Sequence, residues 1–207
     1  PSANISGRPS PTEFERCVED LDGKVDFILG GEKSDVGVES TIVDCTVYPP
    51  VILRPGGITL EMLREIDENI EIDEAIKGKP RENLKPKAPG MKYRHYAPKA
   101  KLKIIKGNTK KTIEKIQEIV QNYRDNQKKV AIITTEENKT KFNNEIIISL
   151  GSEKNLEEIA KNLFETLRFC DDLKVDLILC QAFEEAGVGV AIMNRLNKAA
   201  GFDITEV

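Results

Sequence analysis

From Leu102 to Ala200 short apolar runs alternate with amphipathic stretches, and no other feature of the chain narrows its fold so far. Leu102–Ile105, Val130–Thr134, Ile146–Leu150 and Val175–Cys180 are near-continuous apolar runs, as strands buried on both faces require. Between and after them the spacing predicts helices over about 111–126, 156–173 and 190–200. In the first of these Ile113, Ile116, Ile119, Val120 and Tyr123 share one helical face. Strands alternating with helices in this way predict a doubly wound, mainly parallel, Rossmann-like α/β sheet over residues 102–207.

The residues ahead of it carry mixed signals. Ser10-Pro11-Thr12-Glu13 is a capping box with Pro at the first helical position, and it predicts a helix to Leu21. Val25–Leu29, Ser40–Cys45 and Val51–Arg54 read as short strands, the last closed by Pro55-Gly56-Gly57. Thr59 then caps a helix to about Asp67. Residues 77–101 carry Pro80, Pro86, Pro89, Gly90 and Pro98 among lysines without an apolar period, the mark of a stiff linker. That linker nevertheless contains Tyr93, Tyr96 and His95, the only histidine. The expected organisation is a first unit over 1–76, a linker over 77–101 and a second unit over 102–207. The compact Pro1–Thr12 stretch, without an initiator Met, is expected of the later portion of a longer protein.

Charge and cysteine content exclude several functions. The net charge of -4 hides a basic segment, Lys77–Lys103, with ten Lys/Arg and one acid, which leaves -13 elsewhere. A broad nucleic-acid-binding face is therefore disfavoured. Cys17, Cys45, Cys170 and Cys180 lack metal-ligand spacing and are expected as buried reduced thiols. With one histidine, no residue set here predicts a protein-held metal; the metal chemistry left open is magnesium carried on phosphates. No apolar run approaches bilayer length and no signal peptide is visible, so a cytoplasmic protein is expected.

No P-loop is present, and Gly187-Val188-Gly189 lacks the third glycine of a dinucleotide fingerprint and follows the last expected strand, so it is expected as a backbone turn in preference to a ligand site. Asn194 and Arg195 read as surface or interface residues. Ser2, Asn4, Ser6 and Ser10 place hydroxyl and amide groups beside a helix start, where anions are favoured, or they merely cap and turn. Ser40 and Thr41 open a strand, and Arg54 closes one, with a fork suited to phosphate or carboxylate.

Taken in order, Ser2-Ala3-Asn4-Ile5-Ser6-Gly7 with Ser10-Pro11-Thr12, Ser40-Thr41-Ile42-Val43-Asp44 and Ile52-Leu53-Arg54-Pro55-Gly56 resemble the YrdC-type threonylcarbamoyl-AMP synthases. Pro89-Gly90-Met91, His95-Tyr96-Ala97-Pro98 and the run from Gly187 to Leu196 are similar to the linker and extra C-terminal domain of the family's long form. The resemblance implies the C-terminal part of a YrdC-like twisted mixed-sheet domain, the linker, and then the Rossmann-like domain. It implies synthesis of threonylcarbamoyl-AMP from L-threonine, bicarbonate or CO2, and ATP with magnesium, releasing pyrophosphate. The product would feed threonylcarbamoyladenosine formation in tRNA through a downstream transferase, without direct tRNA binding being required.

Residue by residue, the resemblance implies that Ser2, Asn4, Ser10 and Arg54 bind ATP and that Ser40 contacts threonine. A linker tyrosine, Tyr96 first and Tyr93 second, would reach the nucleotide as the strap folds over the site. No catalytic side chain is implied here. The family's Lys/Arg phosphate motif and much of its threonine pocket would precede Pro1, so these 207 residues alone are expected to be inactive or poorly folded. The competing expectation is a noncatalytic RNA-binding or interaction module, built on the basic linker and its tyrosines.

Overall fold

The computed structural model describes residues 3–76, 78 and 97–207. In chain order the first part holds α1 (Phe14–Leu21), β1 (Ile42–Asp44), β2 (Val51–Arg54), α2 (Leu60–Arg64) and β3 (Glu71–Ile72). The strands form a small mixed sheet, β1 antiparallel and β3 parallel to the central β2. Thr59 caps α2 as expected, its hydroxyl accepting from the Met62 N–H at 3.3 Å. The helix is shorter than its pattern suggested, ending at Arg64.

The remaining elements are β4 (Lys101–Lys106), α3 (Thr109–Asp125), β5 (Val130–Thr134), β6 (Ile146–Ser149), α4 (Leu156–Asp172), β7 (Leu177–Gln181), α5 (Gly189–Ala199) and β8 (Ile204–Glu206). All five strands run parallel in the order β6-β5-β7-β4-β8. Pleat alternation divides their side chains between two cores. Ile105, Val130, Ile132, Leu177 and Leu179 face Ile116 and Val120 of α3. Ile104, Ala131, Ile133, Ile178 and Cys180 join Leu163, Leu167, Ile192 and Leu196 of α4 and α5. Helices on both faces make this the doubly wound parallel arrangement that the alternating pattern predicts.

Several expectations fail locally. Ser10 does not cap α1, which starts at Phe14 behind Glu13 with no side-chain cap. Residues 9–12 are held by other contacts: Arg168 Nε donates to the Pro9 carbonyl at 2.9 Å and the Ser34 N–H to the Thr12 carbonyl at 2.9 Å. Val25–Leu29 is not a strand, and Phe27 and Leu29 are 94% and 99% exposed. A strand needs a neighbour to satisfy its backbone, and no described segment pairs with this one. The strand expected over Ser40–Cys45 is confined to β1. β3 and β8 have too few apolar residues to be read from sequence; β8 forms because its three residues add to the open edge of β4.

The cysteines also divide. All four are free, Cys170 and Cys180 are buried, Cys17 is half-buried and Cys45 is exposed beyond the end of β1. Burial pushes the Cys170 thiol up to about 12 and the Cys180 thiol upward as well, so neither is a thiolate at neutral pH.

Two ion-pair groups join the first part to α4. Asp20 of α1 is fully buried and accepts from Arg168 Nη2 at 2.7 Å, from Arg168 Nη1 at 3.2 Å, from the Ile5 N–H at 3.2 Å, and from Arg8. Arg16 bonds Glu165 at 2.7 Å and Asp172 at 2.7 Å. Gly189 opens α5 at a tight approach, because a Cβ there would lie 1.9 Å from the Glu184 carbonyl oxygen. Gly189→Ala is expected to lower stability by about 1–3 kcal/mol or more, measured as a lower urea midpoint with an unchanged slope.

Candidate functional site

Arg54 ends β2 and is only 8% exposed, so its charge requires fixed partners. Its Nε donates to the Ser40 carbonyl at 3.0 Å and its Nη2 to the Ser40 hydroxyl at 3.1 Å. The β1–β2 ladder places Ile42 opposite Arg54, which brings the Ser40 segment within reach. Gly56 permits the closeness of the two segments: a Cβ there would sit 2.2 Å from the Glu39 carbonyl oxygen and 2.4 Å from the Thr41 nitrogen.

Glu39 connects this pair to Ser10. The buried Ser10 hydroxyl donates to Glu39 Oε1 at 3.1 Å, while Glu39 Oε2 accepts from Arg195 Nε at 2.6 Å. Ser10 therefore bonds the residue that precedes Ser40, so two hydrogen-bonded groups, Ser10–Glu39–Arg195 and Arg54–Ser40, meet at adjacent positions of one segment. A serine oxygen that donates one proton retains lone pairs, so Ser10 can still accept from a ligand or its waters.

Asn4 makes two bonds from Nδ2, to the Ile5 carbonyl at 2.9 Å and the Arg8 carbonyl at 3.3 Å. These brace the loop in the manner expected of a turn asparagine. Ser2, Tyr93, Tyr96 and His95, together with nearly all of the basic linker, lie outside the described residues.

The expectation that Arg195 is a surface or interface residue resolves to the interior: it is fully buried, and Asn194 is nearly so. Besides Glu39, its guanidinium bonds Asn194 Oδ1 at 2.9 Å and the Pro55 carbonyl at 3.2 Å. One α5 side chain thus touches the segments on either side of Ser40 and Arg54. The signal legible in sequence was an Arg in phase with Ala191, Ile192 and Leu196 on an apolar helical face. Glu39 had no such signal, since it sits in an irregular loop.

Lys198, one turn beyond Arg195, is also buried. Burial pushes its amine down to about 8; the charges of Arg195 and Arg54 push the same way and Glu39 opposes them. A lysine depressed in the folded state costs stability when charged, so that cost is relieved as pH rises from about 8 toward the unfolded value of 10.5. Heteronuclear NMR of the Lys198 side chain against pH should show it titrating near 8, below the ordinary lysine value of 10.5. The gathering of cations around Glu39 creates a field suited to a phosphate or carboxylate.

The Gly187-Val188-Gly189 segment leads into α5, with Gly187 at a φ of +53°. Glu61 on α2 is held below the usual carboxylate range, chiefly by its own N–H and the Thr59 hydroxyl. No helix among the described residues is long and apolar enough to cross a membrane.

Fold and site together define an α/β protein in which a doubly wound parallel sheet is joined, through buried arginines, to a small mixed sheet that carries Arg54 at its edge. A family model described as "Threonylcarbamoyl-AMP synthase, C-terminal domain" matches residues 58–201, and one described as "Telomere recombination" matches residues 1–56. The chain belongs to the threonylcarbamoyl-AMP synthase family.

It is 44% identical over its whole length to a threonylcarbamoyl-AMP synthase of Pyrococcus abyssi, covering 58% of that protein. It is 45% identical over 97% of its length to the Bacillus subtilis enzyme of the same name, covering 56% of it. The crystal structure of Pyrococcus abyssi Sua5 complexed with L-threonine superposes with a TM-score of 0.89 at 43% identity, over 100% of this chain and 58% of that one. The chain therefore spans a little over half the length of these relatives.

Proposed function

We propose that this chain forms part of the ATP- and threonine-binding cleft of an L-threonylcarbamoyladenylate synthase. The observation that carries the reading is the buried Arg54 fork, fixed by both the carbonyl and the hydroxyl of Ser40, whose neighbour Glu39 accepts from Ser10. The full-length protein condenses L-threonine, bicarbonate or CO2, and ATP. The threonine amine takes up the one-carbon unit as a carbamate, releasing a proton where CO2 enters and water where bicarbonate does. A carbamate oxygen then attacks the α-phosphorus, and the bond to the bridging oxygen breaks to release pyrophosphate. Threonylcarbamoyl-AMP passes to a downstream tRNA threonylcarbamoyl transferase for modification of the adenosine next to the anticodon, work that belongs in the cytoplasm.

Both reactants are anionic, so the chain's contribution is to position them and offset charge. Arg54 meets the phosphates, Ser2, Asn4 and Ser10 hold the nucleotide from the loop ahead of α1, and Tyr96 or Tyr93 closes over it. Ser40 accepts from Arg54, which leaves its hydroxyl proton to donate to threonine. Glu39 is already committed to Arg195 and Ser10, so this part of the cleft suits magnesium held by the ATP phosphates rather than by a carboxylate of its own. Bound there, the ion would supply charge neutralisation on the phosphates. In this reading residues 1–76 complete the YrdC-like domain, 77–101 form the strap and 102–207 form the C-terminal domain.

The test is pyrophosphate release by the full-length protein, with the adenylate identified by mass spectrometry. Release that requires ATP, threonine and bicarbonate together is expected; release indifferent to threonine overturns the reading. Salt-sensitive RNA binding with no nucleotide requirement would favour the noncatalytic alternative.

A further inference from the structure

Resting on that reading, we infer that Arg195 on α5 is a positioning residue for the nucleotide site, so that the C-terminal sheet sets the cleft's geometry. Its guanidinium is fully buried and binds two separate segments of the first part at once. Nε reaches Glu39, the residue before Ser40, at 2.6 Å, and Nη2 reaches the carbonyl of Pro55, the residue after Arg54, at 3.2 Å. Through Glu39 Oε1 the same network includes Ser10. Three proposed ligand contacts are thus anchored on one side chain from another layer of the protein.

The geometry leaves little slack. Arg195 bonds Asn194 Oδ1 at 2.9 Å as well, so its fork is held from its own helix. Its helix lies on the parallel sheet with Ala191, Ile192 and Leu196 in the same core as Leu163 and Ile178. Arg195 therefore transmits the position of a rigid core to two loop segments, an effect a flexible surface contact could not have. A lysine could keep the charge on Glu39, but its single ammonium lacks the planar fork that spans Glu39 and Pro55.

The experiment compares Arg195→Lys and Glu39→Gln with Arg16→Met in the full-length protein. Arg16 provides the control because it joins α1 to Glu165 and Asp172 of α4, a contact between the same two parts that avoids the Ser40 and Arg54 segments. Equilibrium ATP binding and the KM values for ATP and threonine are measured beside the melting temperature. Arg195→Lys and Glu39→Gln are expected to weaken ATP binding by about tenfold or more, as small displacements of positioning groups do, at a temperature where each variant is shown by its melting curve to remain folded. Arg16→Met should leave ATP affinity within about twofold of wild type, the range of an uncoupled surface pair.

Unchanged ATP affinity in whichever of the two variants folds would overturn the inference. Equal loss of affinity in all three variants would also overturn it, because Arg195 would then act only through general stability. If the wild type binds ATP yet makes no threonine adenylate, the functional reading fails while the binding comparison still decides the role of Arg195. If it binds no ATP, both fail.

Discussion

Asp20→Ala in the full-length protein should lower unfolding free energy by about 3–5 kcal/mol, the cost of leaving a buried charge without its partner. Asp20 is fully buried, and Arg168, 3% exposed, has its Nη1 and Nη2 both on that carboxylate. Removing the carboxylate strands Arg168 between α1 and α4 and also frees the Ile5 N–H and Arg8. Urea denaturation followed by circular dichroism measures the loss. Asp20→Leu combined with Arg168→Met should recover most of it, since an apolar pair of similar volume avoids the desolvation of two charges. A double variant as unstable as the single one would show that the pair does more than neutralise itself.

The same pair predicts acid sensitivity. Burial alone would raise the Asp20 carboxyl, but the hydrogen bonds and charge of Arg168, with help from Ile5 and Arg8, outweigh it and hold the group below the usual aspartate range. A carboxyl lowered in the folded state contributes stability above its unfolded value of about 3.9, and that stability is lost as pH falls through the lower folded value. Unfolding free energy should therefore fall below about pH 4, and Asp20→Asn should flatten that part of the profile.

Arg54→Ala is expected to lower kcat/KM for ATP in pyrophosphate release by about 100- to 1000-fold, the scale seen when one preorganised donor to a charged transition state is lost. Arg54→Lys should recover little. Its ammonium keeps the charge but cannot hold the Ser40 carbonyl and hydroxyl in one plane while facing a phosphate. Steady-state pyrophosphate release with ATP varied at saturating threonine checks this. Activity within about tenfold of wild type would remove Arg54 from the phosphate-binding role.

Sequence and structure agree most closely where local pattern and tertiary environment demand the same thing. The β5 run, Val130–Thr134, is apolar throughout and buried throughout. The face of α3 marked by Ile116 and Val120 packs where its period places it. Agreement breaks down where a local signal competes with a distant partner. Ser10-Pro11-Thr12-Glu13 reads as a helix start, yet Arg168, Ser34 and Glu39 engage that stretch and the helix begins later. Phe27 and Leu29 read as strand residues, but strand formation depends on a neighbour that the segment's own composition cannot supply.

The candidate site divides in the same way. Ser10, Ser40 and Arg54 were legible as residue types in an ordered set of motifs, because serine hydroxyls and a guanidinium fork suit anions wherever they converge. That they share a site followed only from the resemblance, and the contacts that hold them there, through Glu39 and Arg195, were not legible.

By itself the sequence determined the alternating α/β order of residues 102–207, the helix faces and the motifs that mark the family, all of which follow from periodicity and local backbone chemistry. Only the tertiary structure decided which charges meet: Arg168 on Asp20, and Arg195 on Glu39 and Pro55, each more than 100 residues apart along the chain. Burial makes such pairings obligatory, since a charge removed from water must find its partner within the fold, but the partner's identity depends on which surfaces the packed cores bring together.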